Sequence, residues 1–348
     1  MTKAAMLASS DRPEKAPRPR VAVIGTGGSI SMHGRDSMDL FEYGDFGRVL
    51  EVEELLALVP EAARIADVVP VRLMAIVSMG IGPREWLELN RRVDATVASD
   101  PSLDGVVITH GTAVLEETAY FLNLVNRARV PVVLVGAQRP PTGLSSDAHL
   151  NLVNAIRVAG SPAARGLGVL TLLNDEIHSA RDVTKSATFR VDAFRSPDLG
   201  ILGYADPDGS IRIYRAPTRR HAPHTEFDVG SLADLPRVDI VYSYAGSDGS
   251  LIEAAVRAGA AGIVSAGFAP GLVTPGEMAA MLSARDAGLL VVQSSRAGAG
   301  RVGQRTKTKA AGIVAADNLN PQKARILAML TLTITTDPAE AQRCFDEY

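Results

Sequence analysis

Short apolar runs rich in β-branched residues alternate along this chain with longer stretches whose apolar positions recur every three or four residues. Residues 21–26, 66–76, 105–110, 130–137 and 168–174 are of the first kind and read as strands. Their apolar positions are nearly continuous, the pattern expected of a sheet covered on both faces. Residues 51–59, 84–98, 115–128 and 147–158 read as helices, with Leu115, Ala119, Leu122 and Val125 marking one apolar face of the third. Strand and helix in alternation predict an α/β fold built on a doubly wound, mainly parallel sheet.

The helical period stops over 181–214, where short strand-like pieces take over, and a polar, proline-bearing stretch follows over 215–236. A second alternation then begins, with strands at 238–245, 262–266 and 289–294 and helices at 250–259, 277–287 and 321–332. The expected organisation is a larger N-terminal domain over 20–214, a linker over 215–236 and a smaller C-terminal α/β domain over 237–348. A chain of 348 residues suits two domains, because a single core stops growing at about 250–300 residues. Residues 1–19 carry six charged residues and the prolines Pro13, Pro17 and Pro19, without the apolar stretch of a secretory leader, and read as a disordered tail. No eighteen consecutive apolar residues occur, which excludes a membrane-spanning helix of the usual kind.

Composition narrows the function classes. The net charge is −3 and the basic residues are scattered, so nothing in the sequence gathers a phosphate backbone and no nucleic-acid partner is expected. Cys344 is the only cysteine, which rules out a disulfide within the chain and a cysteine-rich metal site, and fits a cytoplasmic protein.

Three motifs carry candidate chemistry. Ile24-Gly25-Thr26-Gly27-Gly28-Ser29-Ile30 is a glycine-rich turn that sets a hydroxyl at the carboxyl end of the first strand, where open α/β sheets bind ligands. Ile30 stands where a dinucleotide fingerprint needs glycine, and no Gly-Lys-Ser/Thr ending makes a phosphate-binding loop. His110-Gly111-Thr112-Ala113 ends a later strand and leads into a helix whose first N–H groups suit an oxyanion. Arg181-Asp182-Val183-Thr184-Lys185 supplies a lysine which, buried beside Thr112, would have a lowered pKa and make a nucleophile-and-base pair of the kind acyl transfer uses. Bland readings stand beside these: His110 as a hydrogen-bonded structural histidine, Glu116 and Glu117 as a solvated helix face, the basic run from Arg296 to Lys309 as a solvated loop and Cys344 as a small buried apolar residue.

These motifs, with Val135-Gly136-Ala137, Arg139-Pro140 and Leu319-Asn320-Pro321-Gln322-Lys323-Ala324-Arg325, occur in the order found in bacterial asparaginases, and from about Arg20 to Tyr348 the chain resembles the asparaginase/glutaminase family. The resemblance implies no metal or organic cofactor, a small-molecule substrate, and a homo-oligomer, tetramer or dimer, with sites at subunit interfaces. It puts Ser29 where the family has its first nucleophilic threonine, Tyr43 at the loop tyrosine that activates it, and Thr112 with Lys185 at the second hydroxyl and its lysine. Ser78 matches a serine that contacts the substrate carboxylate, and Gly28, Met79, Gly111 and Ala113 fall at substrate-binding positions.

Several positions depart from the family. Ala113 replaces the aspartate that binds the substrate's α-ammonium, Met79 stands for a glutamine, Gly246 lies near the position of a neighbouring subunit's asparagine, and the basic stretch between Ser295 and Gly312 offers no matching glutamate. An ammonium buried without its carboxylate costs several kcal/mol, and loss of a designed polar partner rejects the corresponding ligand by factors of about 10⁴. The expected function is therefore an amidohydrolase with a Ser/Thr nucleophile acting on an amide, imide, lactam or ester without a free α-amino group. Two alternatives stand beside it: an ordinary L-asparaginase in which Asp248 or Glu42 replaces the missing carboxylate, and a non-catalytic ligand-binding protein on the same fold.

Overall fold

In the computed structural model, which describes residues 18–348, the first alternation folds into one sheet. Strands β1 (Arg20–Gly27), β2 (Asp67–Ile76), β3 (Gly105–Thr109), β4 (Val132–Val135), β5 (Val169–Leu173), β6 (Glu176–Ser179), β7 (Gly203–Ala205) and β8 (Ile211–Ile213) lie in the order β8-β7-β6-β5-β4-β3-β1-β2. The first five are mutually parallel, with Val23 beside Pro70 and Val107, and Val133 beside Val107 and Leu170. Their nearly continuous apolar runs serve two cores. Ala22, Ile24, Val106, Ile108 and Leu134 pack with α1 (Pro83–Ser99) and α2 (Leu115–Val125). The alternate residues Val21, Val23, Val107, Val133 and Val135 pack with α3 (Ala148–Ala159) and the short helix Val52–Ala57.

The last three strands are antiparallel. Asn174 and Asp175 both take a positive φ, 51° and 64°, and this tight reversal starts the antiparallel edge at Glu176, ahead of where the sequence pattern changes at residue 181.

The second domain is a parallel sheet in the order β9 (Val238–Tyr242), β10 (Gly262–Gly267), β11 (Leu290–Ser295), β12 (Val314–Ala315). On one face lie α4 (Ser250–Arg257) and α5 (Pro275–Asp286); on the other lies α6 (Pro321–Thr331), which also packs on α2. A single apolar core therefore runs from Leu134 through Leu122 to Leu327 and Val264. This explains why α2 is buried at every residue except Glu117, although its sequence marks one apolar face: the second domain covers what would have been its wet side. A final helix, α7 (Pro338–Glu347), absent from the sequence reading, is capped by Asp337 and buries Ala341, Cys344 and Phe345. Burial pushes the Cys344 thiol up to about 11, in keeping with an inert apolar role.

Residues 215–236 contain neither helix nor strand, yet they are fixed: Arg127 donates to the carbonyls of Pro223 (3.2 Å) and Thr225 (2.5 Å), and Phe227 packs on Tyr348 with ring centroids 4.9 Å apart. The tail reading lies outside the described residues up to position 17, and the Pro19 carbonyl already accepts from the Asp67 N–H (2.9 Å). Among the described residues no helix is long and apolar enough to cross a membrane.

Candidate active site

The chain crosses from one side of β1 to the other between β2 and β3, and the carboxyl ends of β2, β1, β3 and β4 lie side by side at this switch point. Ser78 follows β2, Ser29 follows β1, Thr112 follows β3 and Ala137 follows β4. Three of these loops touch. A Cβ placed on Gly28, whose φ is +80°, would fall 2.1 Å from Gly111 Cα, and one on Gly111 would fall 2.5 Å from Ser78 Cβ and Oγ. Only glycine at both positions lets the backbones close so far, and this contact brings Ser29 and Thr112 onto one floor. Gly28→Ala therefore forces both a left-handed φ and a backbone clash. We expect it to cost about 2–3 kcal/mol, read as a lower apparent Tm by circular dichroism; an unchanged Tm would contradict this packing.

Ser29 is half-buried and its hydroxyl donates to the Ala137 carbonyl (2.8 Å). Tyr43 is in hydrogen-bonding contact with Ser29. Burial holds the Tyr43 phenol above the usual tyrosine range, the nearby carboxylates of Asp147 and Asp39 add to this, and the bond to Ser29 pulls it partly back. The segment bearing both residues is tied to the loop after β4: Gly34 N–H donates to Thr142 Oγ1 (3.0 Å) and Leu144 N–H to the Ser37 carbonyl (2.8 Å).

Thr112 is buried, and its Oγ1 accepts from Lys185 Nζ at 2.8 Å. Lys185 lies on a short antiparallel hairpin, Thr184–Lys185 with Phe194–Arg195. Burial draws its ammonium below the usual lysine range, and the charge of Glu116 opposes that shift. The structure thus brings Thr112 and Lys185 together across 73 positions. Among the described residues, no acceptor takes the N–H of Thr112 or Ala113, both at the positive end of α2.

His110 is fully buried; its Nδ1–H donates to the Gly111 carbonyl (2.8 Å), and burial pulls its pKa down to about 4, so it is neutral near pH 7. That agrees with a structural histidine. Met79 is 75% exposed and Ala113 is exposed; no hydrogen bond draws either into the cluster.

Glu116 departs from the sequence reading. It was expected on a solvated face but is only 6% exposed, because the Lys185 hairpin and the second domain close over it. Glu117 is half-buried, and desolvation raises its carboxyl above the usual range. Glu116 Oε1 accepts from Thr184 Oγ1 and from the Lys185 N–H (both 3.1 Å), and Oε2 accepts from Asn320 Nδ2 (3.0 Å). One turn beyond Asn320, the fully enclosed Lys323 donates to the carbonyls of Ala180 (3.0 Å), Arg181 (2.8 Å) and Val183. Burial lowers Lys323 to about 8. Neither Asn320 nor Lys323 was assigned a role from sequence. The available signal was an Asn-Pro helix start followed by a lone lysine among Ala324, Ile326, Leu327 and Leu330. The basic run is likewise more ordered than a free loop: residues Thr306–Ala310 are helical, Arg296 donates to the Ser243 carbonyl (2.9 Å) and Arg301 to Asp317 (2.9 Å).

The two carboxylates named as replacements for the missing aspartate are engaged elsewhere. Glu42 accepts from Arg35 (2.6 Å), and Asp248 accepts from the N–H and hydroxyl of Ser250 (2.9 and 2.6 Å) at the start of α4.

Residues 20–219 match the family model described as Asparaginase, N-terminal, and residues 237–345 match the Glutaminase/Asparaginase C-terminal domain. The chain is 42% identical over 342 residues to L-asparaginase 2 of Bacillus subtilis, covering 98% of this chain and 90% of that protein. It is 42% identical to the glutaminase-asparaginase of Pseudomonas fluorescens biotype A, with 94% and 90% covered. The crystal structure titled Probable Cytoplasmic L-asparaginase from Campylobacter jejuni superposes with a TM-score of 0.90 at 39% identity, covering 95% of this chain and all of that one.

Proposed function

This chain belongs to the asparaginase/glutaminase family, hydrolases of carbon–nitrogen bonds in small molecules, and from that premise we propose that Ser29 is its acylated nucleophile and that its preferred substrates lack a free α-amino group. Ser29 Oγ attacks the acyl carbon while its proton passes to Tyr43 and onward to the leaving nitrogen. The carbon–nitrogen bond breaks, ammonia or an amine departs, and water then cleaves the acyl ester to release the acid and restore the hydroxyl. The free N–H groups of Thr112 and Ala113 suit the developing oxyanion. Thr112 passes its proton to the neutral Lys185 amine, to which it is joined at 2.8 Å, and takes it back as the acyl ester is hydrolysed.

The observation that carries the substrate reading is the contrast between Lys185–Thr112 at 2.8 Å and the apolar, exposed Ala113 beside it. The contact suits acyl transfer, while the position next to it offers an α-ammonium no carboxylate. One observation favours the second reading, ordinary asparagine hydrolysis: relatives called L-asparaginase are about as similar as the glutaminase-asparaginases. Ammonia release on L-asparagine, L-glutamine, succinamate and succinimide separates them. We expect turnover of the ammonium-free compounds to exceed that of L-asparagine, and Ser29→Ala to lower it by about 10³-fold or more. Micromolar KM for L-asparagine would establish the second reading instead, and full activity in Ser29→Ala would remove Ser29 from the chemistry. The proposal extends to a cytoplasmic homo-oligomer, tested by light scattering and fractionation.

A further inference from the structure

Glu116 sits between the Lys185 strand and the second domain, with both carboxylate oxygens committed: Oε1 to Thr184 and the Lys185 N–H, Oε2 to Asn320. Asn320 is the N-cap of α6 and accepts from the Lys323 N–H (3.0 Å), while Lys323 holds the 180–183 backbone just ahead of Lys185. A carboxylate this deeply buried is costly unless its charge is matched. The other charged groups packed around Lys185 have their own partners. Glu117 on α2 faces Arg325 and Lys323, Asp182 lies 3.7 Å from Arg181, and Asp192 pairs with Arg195 on the hairpin. Among the described residues, Glu116 is the carboxylate whose charge acts on Lys185.

The geometry points to Glu116 as the positioning residue of the Thr112–Lys185 pair, set in place by Asn320 and Lys323, so that docking of the second domain fixes both where the amine stands and how readily it releases its proton. This deepens the reading of Thr112 and Lys185 as acyl-transfer groups and rests on it. The sign of the effect follows from charge. A nearby carboxylate favours the ammonium, so removing that charge lets Lys185 lose its proton at lower pH, and adding a second negative charge delays the loss.

Two variants press in opposite directions. Glu116→Gln keeps the shape and removes the charge. Asn320→Asp keeps an acceptor for the Lys323 N–H and sets a new carboxylate against Glu116. The proton on Lys185 is read in the full chain by NMR of ¹³Cε-labelled lysine. The sequence has six lysines, Lys3, Lys15, Lys185, Lys307, Lys309 and Lys323, and the Lys185 signal is the one absent from Lys185→Met. We expect its midpoint to fall by about one pH unit in Glu116→Gln and to rise in Asn320→Asp. The acid limb of kcat on succinamate or L-asparagine should move the same way. A merely structural contact would lower Tm without opposed shifts. Unmoved midpoints, or shifts of the same sign, overturn the inference. If Glu116→Gln does not fold, Glu116→Asp replaces it: the charge is kept while the reach to Asn320 is lost, so the midpoint should stay near wild type as kcat falls, and a large downward shift counts against the role. Undiminished turnover in Lys185→Met would defeat the acyl-transfer reading itself, a result distinct from any NMR outcome at Glu116.

Discussion

Lys185→Met is expected to lower kcat/KM by about 10³-fold on whichever amide is turned over fastest, while Tm stays close to wild type. Lys185 is half-buried with Nζ 2.8 Å from Thr112 Oγ1, and methionine fills much of the same space without a charge to bury. Burial holds its ammonium below the usual lysine range, so the neutral amine, the form able to accept the Thr112 proton, is reached at lower pH than for a free lysine. The sign is then fixed: activity rises with pH through the depressed pKa and is lost as pH falls through it. In Lys185→Met that limb of the pH profile should disappear. Thr112→Val should cost about as much, and the double variant little more, because groups acting as a unit do not add. A loss under tenfold, with the acid limb intact, would mean that the pair is a structural contact.

Ala113→Asp is expected to raise kcat/KM for L-asparagine relative to succinamate by about 10²- to 10⁴-fold. The position is exposed, between buried Thr112 and the start of α2, so the new side chain displaces nothing in the core. A carboxylate there also lies near the positive end of the helix, where it is stabilised. In the wild type an α-ammonium would meet a methyl group and lose its hydration without gaining a partner, whereas the aspartate would pair with it. Steady-state kinetics on the two amides decides this. An unchanged ratio would show that Ala113 does not face the substrate's amino end.

The fold was legible because its strands announce themselves: continuous apolar runs such as Val21–Ile24 and Val132–Val135 feed two cores at once, as parallel strands covered on both faces do. The pairing of Thr112 with Lys185 was legible through chemistry and family resemblance together. Glu116 was not. Neighbouring helix positions do point apart, but the expectation that the Glu116–Glu117 pair forms a solvated face failed at Glu116, where a hairpin 69 residues later and a helix cap 204 residues later converge. Local pattern carries no record of such long-range closure. For the same reason the burial of α2 exceeded what its amphipathic face suggested, and the antiparallel strand that follows the reversal at Asn174–Asp175 was missed, because the strand reading stopped at residue 174 and left 175–180 unassigned.

The hold of Lys323 on the backbone of Ala180, Arg181 and Val183 gives the site a place in time. A ribosome adds residues in order, at about 5–20 per second, and domains near the start of a chain fold first. When residue 236 has emerged, every strand of the large sheet and all four groups Ser29, Tyr43, Thr112 and Lys185 already exist, but the helix that fixes the lysine's strap is still unmade. On the roles proposed above, the nascent chain therefore carries its hydroxyls and its lysine before it carries α6, whose Lys323 holds the strap that leads into Lys185.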